Sequence, residues 1–349
     1  MSNTLVIHAL GGCGINVADK VLNKVEMLGD GFCKLEFNYV DTSRVNIDKI
    51  EPKGKFWLIE TESHSKAAIH GSGSERRTHA KEIMDYMKKY LDNINLTKND
   101  PSRFHIVIAS ASGGSGGTGL GFVVKSLLNK DIPVIALLVG DSSNAVYAKN
   151  TLGTLTTLNK FAKEAGKPLP IVYLNNYNIG GTNRLHESIE YANKLLFNIL
   201  TGVSLFLSGT HEFLDNQDMI NIIDASKYKT VNVQPGLYGL QIVSKDVVTP
   251  DGSIPILART LTTQDGDFDT GVSLLHHKHG YITIQNAIDV VKEDNLPIHL
   301  VLTNNFFKLE EQALLKTIDN FDNIEKSITM DHIEPSKYSE VDEDTGMVF

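Results

Sequence analysis

Residues 109–121, ASASGGSGGTGLG, directly follow the apolar run Phe104–Ile108 and contain six glycines in thirteen positions. Glycine loses much backbone entropy on folding, so this density indicates a tight turn or a close approach of the backbone to another group. A loop between a strand and a helix that begins near Leu120 presents backbone N–H groups at a helix N-terminus, where anions bind. The stretch therefore predicts a phosphate-binding loop at the carboxyl edge of a sheet, with a flexible turn as the alternative.

The loop offers two kinds of contact to a phosphate. Glycines let the backbone come close because they have no Cβ atom, and hydroxyl side chains add hydrogen-bond donors. The candidate binding residues of this loop are Gly113, Gly114, Ser115, Gly116, Gly117 and Thr118.

A second glycine turn follows the first apolar run of the chain. Residues 5–22, LVIHALGGCGINVADKVL, again have the order strand, glycine-rich turn and helix. Its GGCG turn can support a diphosphate at the first crossover of the sheet, which makes Gly11, Gly12, Cys13 and Gly14 candidates. This turn lacks the dinucleotide fingerprint G-x-G-x-x-G, and neither loop contains the P-loop G-x-x-x-x-G-K-[ST]. Two loops at two strand ends therefore indicate one nucleotide held from both sides.

Apolar runs alternate with helical patterns through the first half of the chain. The predicted strands are 5–10, 37–40, 56–59, 104–108, 134–139 and 171–174. This order predicts an α/β fold with a doubly wound, mostly parallel, Rossmann-like sheet. Residues His186–Phe206 are apolar on much of a helical surface and predict a long, largely buried central helix.

After that helix the runs become shorter, which predicts a second, smaller α/β domain. Its predicted elements are strands at 231–233, 238–243, 254–257, 281–284 and 298–302 and a helix at 286–293. The expected division is a nucleotide-binding domain at 1–185, the central helix at 186–210, and an acidic loop with the smaller domain at 211–322. Residues 323–349 are polar and acidic, and we expect a flexible tail there.

Composition restricts the class of protein. The chain has 349 residues, of which 41% are hydrophobic, and a formal net charge of −9. This charge disfavours nonspecific nucleic-acid binding as the main activity, because that binding needs a basic surface. Two cysteines are too few for a disulfide framework, and no apolar stretch has the length of a membrane span, so we expect a cytoplasmic protein.

The glycine loops resemble those of the tubulin/FtsZ superfamily of filament-forming GTPases. SGGSGGTGLG, residues 112–121, is similar to the GGGTGSG signature in two registers, which put either Ser115 or Thr118 at the signature threonine. The distance from the strand favours Ser115. GGCGIN is similar to the GQCGNQ of tubulins, and the resemblance implies that Asn16 contacts the base and the sugar.

Further motifs occur in the order that the superfamily has. YVDTS at 39–43, with Asp41 and Thr42, resembles its second nucleotide loop, and LNN at 174–176 and YAN at 191–193 resemble the sites where asparagines contact guanine and ribose. HGSGSERR at 70–77 resembles the third loop, which senses the terminal phosphate. The residues that the resemblance assigns from these motifs are Gly71, Ser72, Gly73, Asn175, Asn176 and Asn193. The plainer interpretation of each asparagine is a turn cap or an exposed side chain, although Asn193 within an apolar helix requires a polar partner.

The superfamily also has an acidic loop after the central helix, which enters the nucleotide pocket of the next subunit and positions the attacking water. EFLDNQDMINII, residues 212–223, occupies this place in the chain. The FtsZ pattern N-x-D-x-x-D then puts Asp215 and Asp218 at its two aspartates, and these are the candidate catalytic residues. A second register uses Asn216, Asp218 and Asn221. Capping of a helix near Gln217 by Asp215 and Asn216 is the structural alternative.

The resemblance implies a GTP- and GDP-binding GTPase that uses Mg²⁺ and assembles with itself into dynamic filaments. Ser112, Ser115, HGSGSERR and the acidic tail depart from FtsZ and are more similar to the divergent phage and plasmid tubulins of the PhuZ and TubZ types. That type implies phage or plasmid DNA positioning or segregation in a bacterial cytoplasm, with a DNA-bound or phage cargo adaptor as a further partner. The alternatives are a cell-division FtsZ-like protein, a monomeric Rossmann-type enzyme and a noncatalytic scaffold. Residues 276–279, HHKH, supply proximity alone, and no metal site is predicted from side chains.

Overall fold

The computed structural model describes residues 3–25, 29–47, 54–59, 76–94, 96, 100, 102–177, 185–228, 231–243, 252–263, 276–294, 296, 298–328 and 347.

The first half of the chain forms six strands that pair in parallel. The strands are β1 (Thr4–Leu10), β2 (Lys34–Asp41), β3 (Lys55–Leu58), β4 (Arg103–Ser110), β5 (Val134–Gly140) and β6 (Pro168–Asn175). The helices are α1 (Gly11–Val25), α2 (Arg44–Ile47), α3 (Arg76–Asn93), α4 (Ser115–Asn129) and α5 (Ala145–Glu164). The strand order β3-β2-β1-β4-β5-β6 reverses direction after β1, as in a doubly wound sheet, which confirms the predicted fold class.

The second half extends the same sheet. Its elements are α6 (Leu185–Phe206), β7 (His211–Glu212), α7 (Asn216–Ile223), β8 (Gly236–Val243), β9 (Pro255–Thr262), β10 (His277–Ile282), α8 (Gln285–Asp294), β11 (His299–Thr303) and α9 (Phe306–Ile328). Strand β8 pairs in parallel with β6, and the order continues β8-β11-β9-β10-β7 with antiparallel pairs on both sides of β11. Helix α6 is the long, largely buried helix that the sequence predicts at 186–206.

Three sequence predictions differ from the observed elements. Residues 231–233 form no strand, because their N–H groups donate within turns, from Val231 to the Tyr228 carbonyl and from Val233 to the Val231 carbonyl. The strand predicted at 281–284 begins earlier and ends at Ile282. Helix α9 continues to Ile328, past the predicted start of the tail at residue 323, because its sequence contains no glycine or proline to stop it.

The sheet is buried on both faces. Along β4, Ile106 and Ile108 pack into one apolar layer, whereas Val107 and Ala109 pack into the other, as alternate residues of a covered strand must. Leu200 and Val203 of α6 contribute to the first layer, and α3, α4 and α5 cover the second. This packing fixes the ends of β1 and β4, and with them the two glycine turns.

A row of polar side chains lies inside this apolar packing. His8 Nδ1 lies 2.5 Å from the Tyr90 hydroxyl, and His8 Nε2 lies 3.0 Å from His105 Nδ1. Burial and the nearby Arg103 lower the pKa of His105 to about 3, and burial, His105 and Arg103 lower the pKa of His8. Both rings are therefore neutral at pH 7 and are joined by hydrogen bonds.

These histidines make the stability of the fold pH-dependent. The free energy of unfolding should fall as the pH falls from about 6.5 towards 3, because unfolded histidine binds a proton near 6.5 and folded His105 only near 3. Chemical denaturation at several pH values between about 7 and 5 should show a smaller slope for His105→Gln than for the wild type. His279→Gln, which changes an exposed histidine, is the control and should keep most of the slope. Equal slopes for wild type and His105→Gln would contradict this assignment.

Candidate functional site

The two glycine turns touch each other at the carboxyl ends of β1 and β4. A Cβ atom on Gly11 would lie 3.1 Å from the Gly116 nitrogen, and one on Gly116 would lie 2.9 Å from the Leu10 carbonyl oxygen. A Cβ atom on Gly14 would lie 2.4 Å from the Ile108 carbonyl oxygen, closer than any real contact of that kind. The glycines therefore let α1 and α4 begin side by side at one edge of the sheet.

Helix α4 begins earlier than predicted, at Ser115 rather than near Leu120. Its later glycines serve helix packing, since a Cβ atom on Gly119 would lie 2.6 Å from the Met87 methyl carbon on α3. The residue before the helix, Gly114, makes no side-chain capping hydrogen bond. The first N–H groups of α4 and the positive end of its dipole are therefore available to an anion.

A buried carboxylate lies beside this helix end. Asp41, at the end of β2, accepts hydrogen bonds from the Thr42 N–H at 2.7 Å, from Asn46 at 2.6 Å and from the Ser115 hydroxyl at 3.3 Å. Burial raises the pKa of Asp41, while these hydrogen bonds lower it. Thr118, the other candidate for the signature position, is fully buried. Ser115 is therefore the hydroxyl of this loop that contacts Asp41 at the end of β2.

A pocket opens beside the two turns. Its lining residues are Cys13, Asn16, Ser110, Ser112, Val139, Gly140, Asp141, Asn176 and Ala192. Of the predicted site residues, Cys13, Asn16 and Asn176 therefore lie together around this pocket. Sequence reasoning missed Ser110 and Asp141, although each lies at the end of a parallel strand or just after it, the same signal that identified the glycine turns.

The two adjacent asparagines of LNN have different surroundings. Asn175 donates to the Ser142 hydroxyl at 2.9 Å and accepts from the Tyr177 N–H at 3.1 Å, so both ends of its amide are used locally. The Asn176 side chain lines the pocket, and its buried oxygen has no hydrogen-bond partner among the described residues. Asn193 lies on α6, next to the pocket residue Ala192, but its side chain is outside the described residues, as are Gly71, Ser72 and Gly73.

The thiol in the first turn is protonated at pH 7. Burial raises the pKa of Cys13 to about 12, so almost none of it is the thiolate that nucleophilic or redox chemistry needs. This agrees with the interpretation that cysteine is present there for its small size.

The acidic loop between β7 and α7 caps a helix. The Asp215 carboxylate accepts from the Asp218 N–H at 2.9 Å, and Asp218 accepts in return from the Asp215 N–H at 3.4 Å. The expected cap at Asp215 is confirmed, while Asn216 is already the first helical residue. Asp215 is exposed, whereas Asp218 is buried and forms ion pairs with Lys278 and Arg259.

The pocket and the acidic loop lie at opposite ends of the central strands. Asn216, next to Asp215, exchanges hydrogen bonds of 2.7 and 3.1 Å with Asn3, the residue before β1, whereas the glycine turn follows the other end of β1. Seven residues of strand at roughly 3.3 Å each separate the two ends by about 23 Å. The Asp215 carboxylate therefore cannot reach the pocket of its own chain.

Two other features were searched for in the part of the chain that the structure describes. No three His, Cys, Asp or Glu side chains there are arranged to hold a metal ion, and His277 instead shares a hydrogen bond of 2.7 Å with the Thr260 hydroxyl. None of the helices there is long and apolar enough to cross a membrane.

Known proteins resemble this chain in sequence and in fold. No protein-family model matches it. A phage tubulin-like protein of Pseudomonas phage phiKZ is 23% identical over 239 residues, which are 65% of this chain and 65% of that protein, slightly less than two thirds of its length. A protofilament structure of TubZ from bacteriophage PhiKZ has a TM-score of 0.72 at 19% identity and covers 100% of both chains.

Two further structures extend the comparison. The GDP complex of the phage tubulin PhuZ has a TM-score of 0.71 at 19% identity and covers 100% of both chains. FtsZ of M. jannaschii has a TM-score of 0.57 at 14% identity and covers 86% of this chain and 90% of that one. The fold is therefore the one that these tubulin- and FtsZ-type structures share. The sequence relative and the structures with TM-scores above 0.7 are phage tubulins, as the motifs indicated.

The contact between the turns predicts a large difference between two glycine substitutions. Gly14→Ala should lower the free energy of unfolding by about 2 kcal/mol or more, because its Cβ atom overlaps the Ile108 carbonyl of β4. Gly113→Ala, whose Cβ atom would lie no closer than 3.4 Å to any atom, should change it by less than about 1 kcal/mol. Chemical denaturation without nucleotide measures both, and similar losses would contradict the packing described.

Proposed function

We propose that this protein binds and hydrolyses GTP and assembles head to tail into filaments, with each hydrolytic site completed by a second copy. The observation that carries the proposal is the separation of the pocket from Asp215 by the length of β1. Two surfaces at opposite ends of one subunit make a heterologous contact, which propagates as a filament when it does not close into a ring. The protofilament of bacteriophage PhiKZ TubZ supports this assembly.

The nucleotide would bind at the two glycine turns. The first N–H groups of α1 and of α4 suit the phosphates, and the unpartnered Asn176 oxygen suits the donors on the edge of guanine. The GDP complex of PhuZ supports a guanine nucleotide. Asn16 also lines the pocket. Asn193, with Gly71–Gly73 at the terminal phosphate, completes the proposed site by the motifs alone.

Mg²⁺ fits the oxygen atoms beside this site. The Asp41 carboxylate and the Ser115 hydroxyl are 3.3 Å apart, and both are ligand types that Mg²⁺ uses together with phosphate oxygens. When bound, the ion would neutralise charge on the phosphates. Ser115 is therefore proposed for the signature threonine position in preference to Thr118.

Hydrolysis would require the acidic loop of the neighbouring copy. Phosphoryl transfer depends mainly on positioning and on charge stabilisation, and a carboxylate can orient the attacking water or accept its proton. The loop that carries Asp215 and Asp218 is proposed to supply this function to the next subunit. Filaments of this kind would position or segregate phage or plasmid DNA in a bacterial cytoplasm, with a DNA-bound or cargo adaptor as partner.

The first test is phosphate release from GTP, with ATP as control, over a protein dilution series and alongside pelleting. Specific activity should rise steeply above a critical concentration, because isolated subunits lack the loop of a neighbour. Asp215→Asn should still bind GDP and pellet with GTP but hydrolyse it at least about tenfold more slowly. Turnover that is independent of concentration would favour a monomeric enzyme, and the absence of both turnover and pellet would favour a scaffold.

A second test addresses the base. Asn176→Ala should raise the Kd for GDP by about tenfold, because a guanine donor would lose its buried partner. Asn129→Ala makes the same chemical change on an exposed residue at the far end of α4 and should leave the Kd unchanged. Calorimetry of monomers at low protein concentration measures both, and an unaltered Kd for Asn176→Ala would exclude its contact with the base.

A further inference from the structure

The two carboxylates of the acidic loop differ in what surrounds them. The Asp218 side chain is 4% exposed, and its Oδ1 lies 2.5 Å from the Lys278 Nζ and 3.8 Å from an Arg259 guanidinium nitrogen. Its Oδ2 accepts from the Asp215 N–H at 3.4 Å. Both oxygens of Asp218 are thus engaged inside the subunit, whereas the Asp215 side chain is exposed.

Two backbone carbonyl groups fix the position of the Arg259 side chain. It is fully buried, and its Nη1 donates to the Ala258 carbonyl at 2.8 Å and to the His276 carbonyl at 3.1 Å. Its Nε and Nη2 have no hydrogen-bond partner within the described ranges. A buried guanidinium is costly unless a negative charge compensates it. Asp218 forms the ion pair with Arg259, and Asp215 makes a smaller electrostatic contribution.

The strand that carries Lys278 also holds the loop through its backbone. In the β10–β7 pair, Tyr281 lies opposite Glu212 and Ile282 opposite His211, three and four residues before Asp215. Phe213, which lies between Glu212 and Asp215 in the chain, has a φ of 69°. This left-handed conformation is unfavourable for phenylalanine and persists only where its surroundings enforce it. The loop is therefore fixed by β10 on one side and by the Asp218 ion pairs on the other.

We infer that Lys278 and Arg259 are positioning residues for hydrolysis, which act by holding Asp218 so that its hydrogen bonds fix the backbone and the side chain of Asp215. Asp218 then belongs to this group rather than to the atoms that contact the substrate. Asp215 is the carboxylate presented to the nucleotide of the next copy. This inference rests on the proposed function, because it assigns roles within the same completed site.

The ion pair between Asp218 and Lys278 can be tested by a double-mutant cycle. GTP turnover per pelleted subunit is measured for Asp218→Asn, Lys278→Met and both together, at protein concentrations where all variants pellet. Each single variant should be slower by about tenfold, and the double variant should be within about twofold of the slower single one, because both changes break one interaction. Lys278→Arg, which keeps the charge, should recover most of the turnover.

Two measurements separate positioning from general loss of structure. The Kd of the monomer for GDP should change by less than about twofold in Lys278→Met, since the pocket is at the other end of β1. Amide hydrogen exchange of the segment 211–223 should be faster in Lys278→Met and unchanged in Lys292→Met, a matched control on an exposed lysine of α8.

The outcomes distinguish this inference from the proposed function. If the wild type hydrolyses GTP and the turnover of Lys278→Met is within about twofold of the wild-type turnover, the positioning role alone is overturned. Effects of Asp218→Asn and Lys278→Met that multiply would also overturn it, because the two residues would then act independently. A wild type that neither hydrolyses GTP nor pellets would overturn the proposed function. It would also exclude the role of Lys278 and Arg259 in hydrolysis.

Discussion

The close approach of the Gly14 backbone to the Ile108 carbonyl determines how α1 packs against the end of β4. It requires the first turn of α1 to lie against the end of β4, and it brings that turn beside the start of α4. Two helix N-termini then point at one place on the edge of the sheet, where their dipoles add. The parallel pairing of β1 with β4 fixes both ends of this arrangement, so the pocket is a direct consequence of sheet register.

Helix α6 connects the two functional ends. Near its start Ala192 lines the pocket, and near its end the Ser204 carbonyl accepts a hydrogen bond from the Cys33 N–H, just before β2. The helix thus runs antiparallel to the central strands and is packed against them through Leu200 and Val203. At 22 residues and about 1.5 Å per residue it is long enough to span the sheet from the pocket to the acidic loop.

Much of this could be predicted from the sequence because the signals are local. Alternating apolar runs and glycines located the parallel strands and the two glycine turns that follow β1 and β4, since strand ends and glycines have strong backbone preferences. The turns at 231–233 and the start of α4 at Ser115 were not predicted, because residue preferences there oppose the structure that forms. Valine favours strands, and glycine disfavours the interior of a helix. The same holds for Asp218, whose partners Lys278 and Arg259 become its neighbours only through the pairing of β9 with β10 and of β10 with β7.

The placement of the pocket and the acidic loop at opposite ends of β1 has a consequence for small assemblies. In the proposed head-to-tail row, each contact would complete one site, so a row would always contain one complete site fewer than it has subunits. A dimer would hydrolyse at half its sites, and activity per subunit would approach its maximum only as rows lengthen. The two ends of a row also differ chemically, since one presents an open pocket and the other an unopposed Asp215.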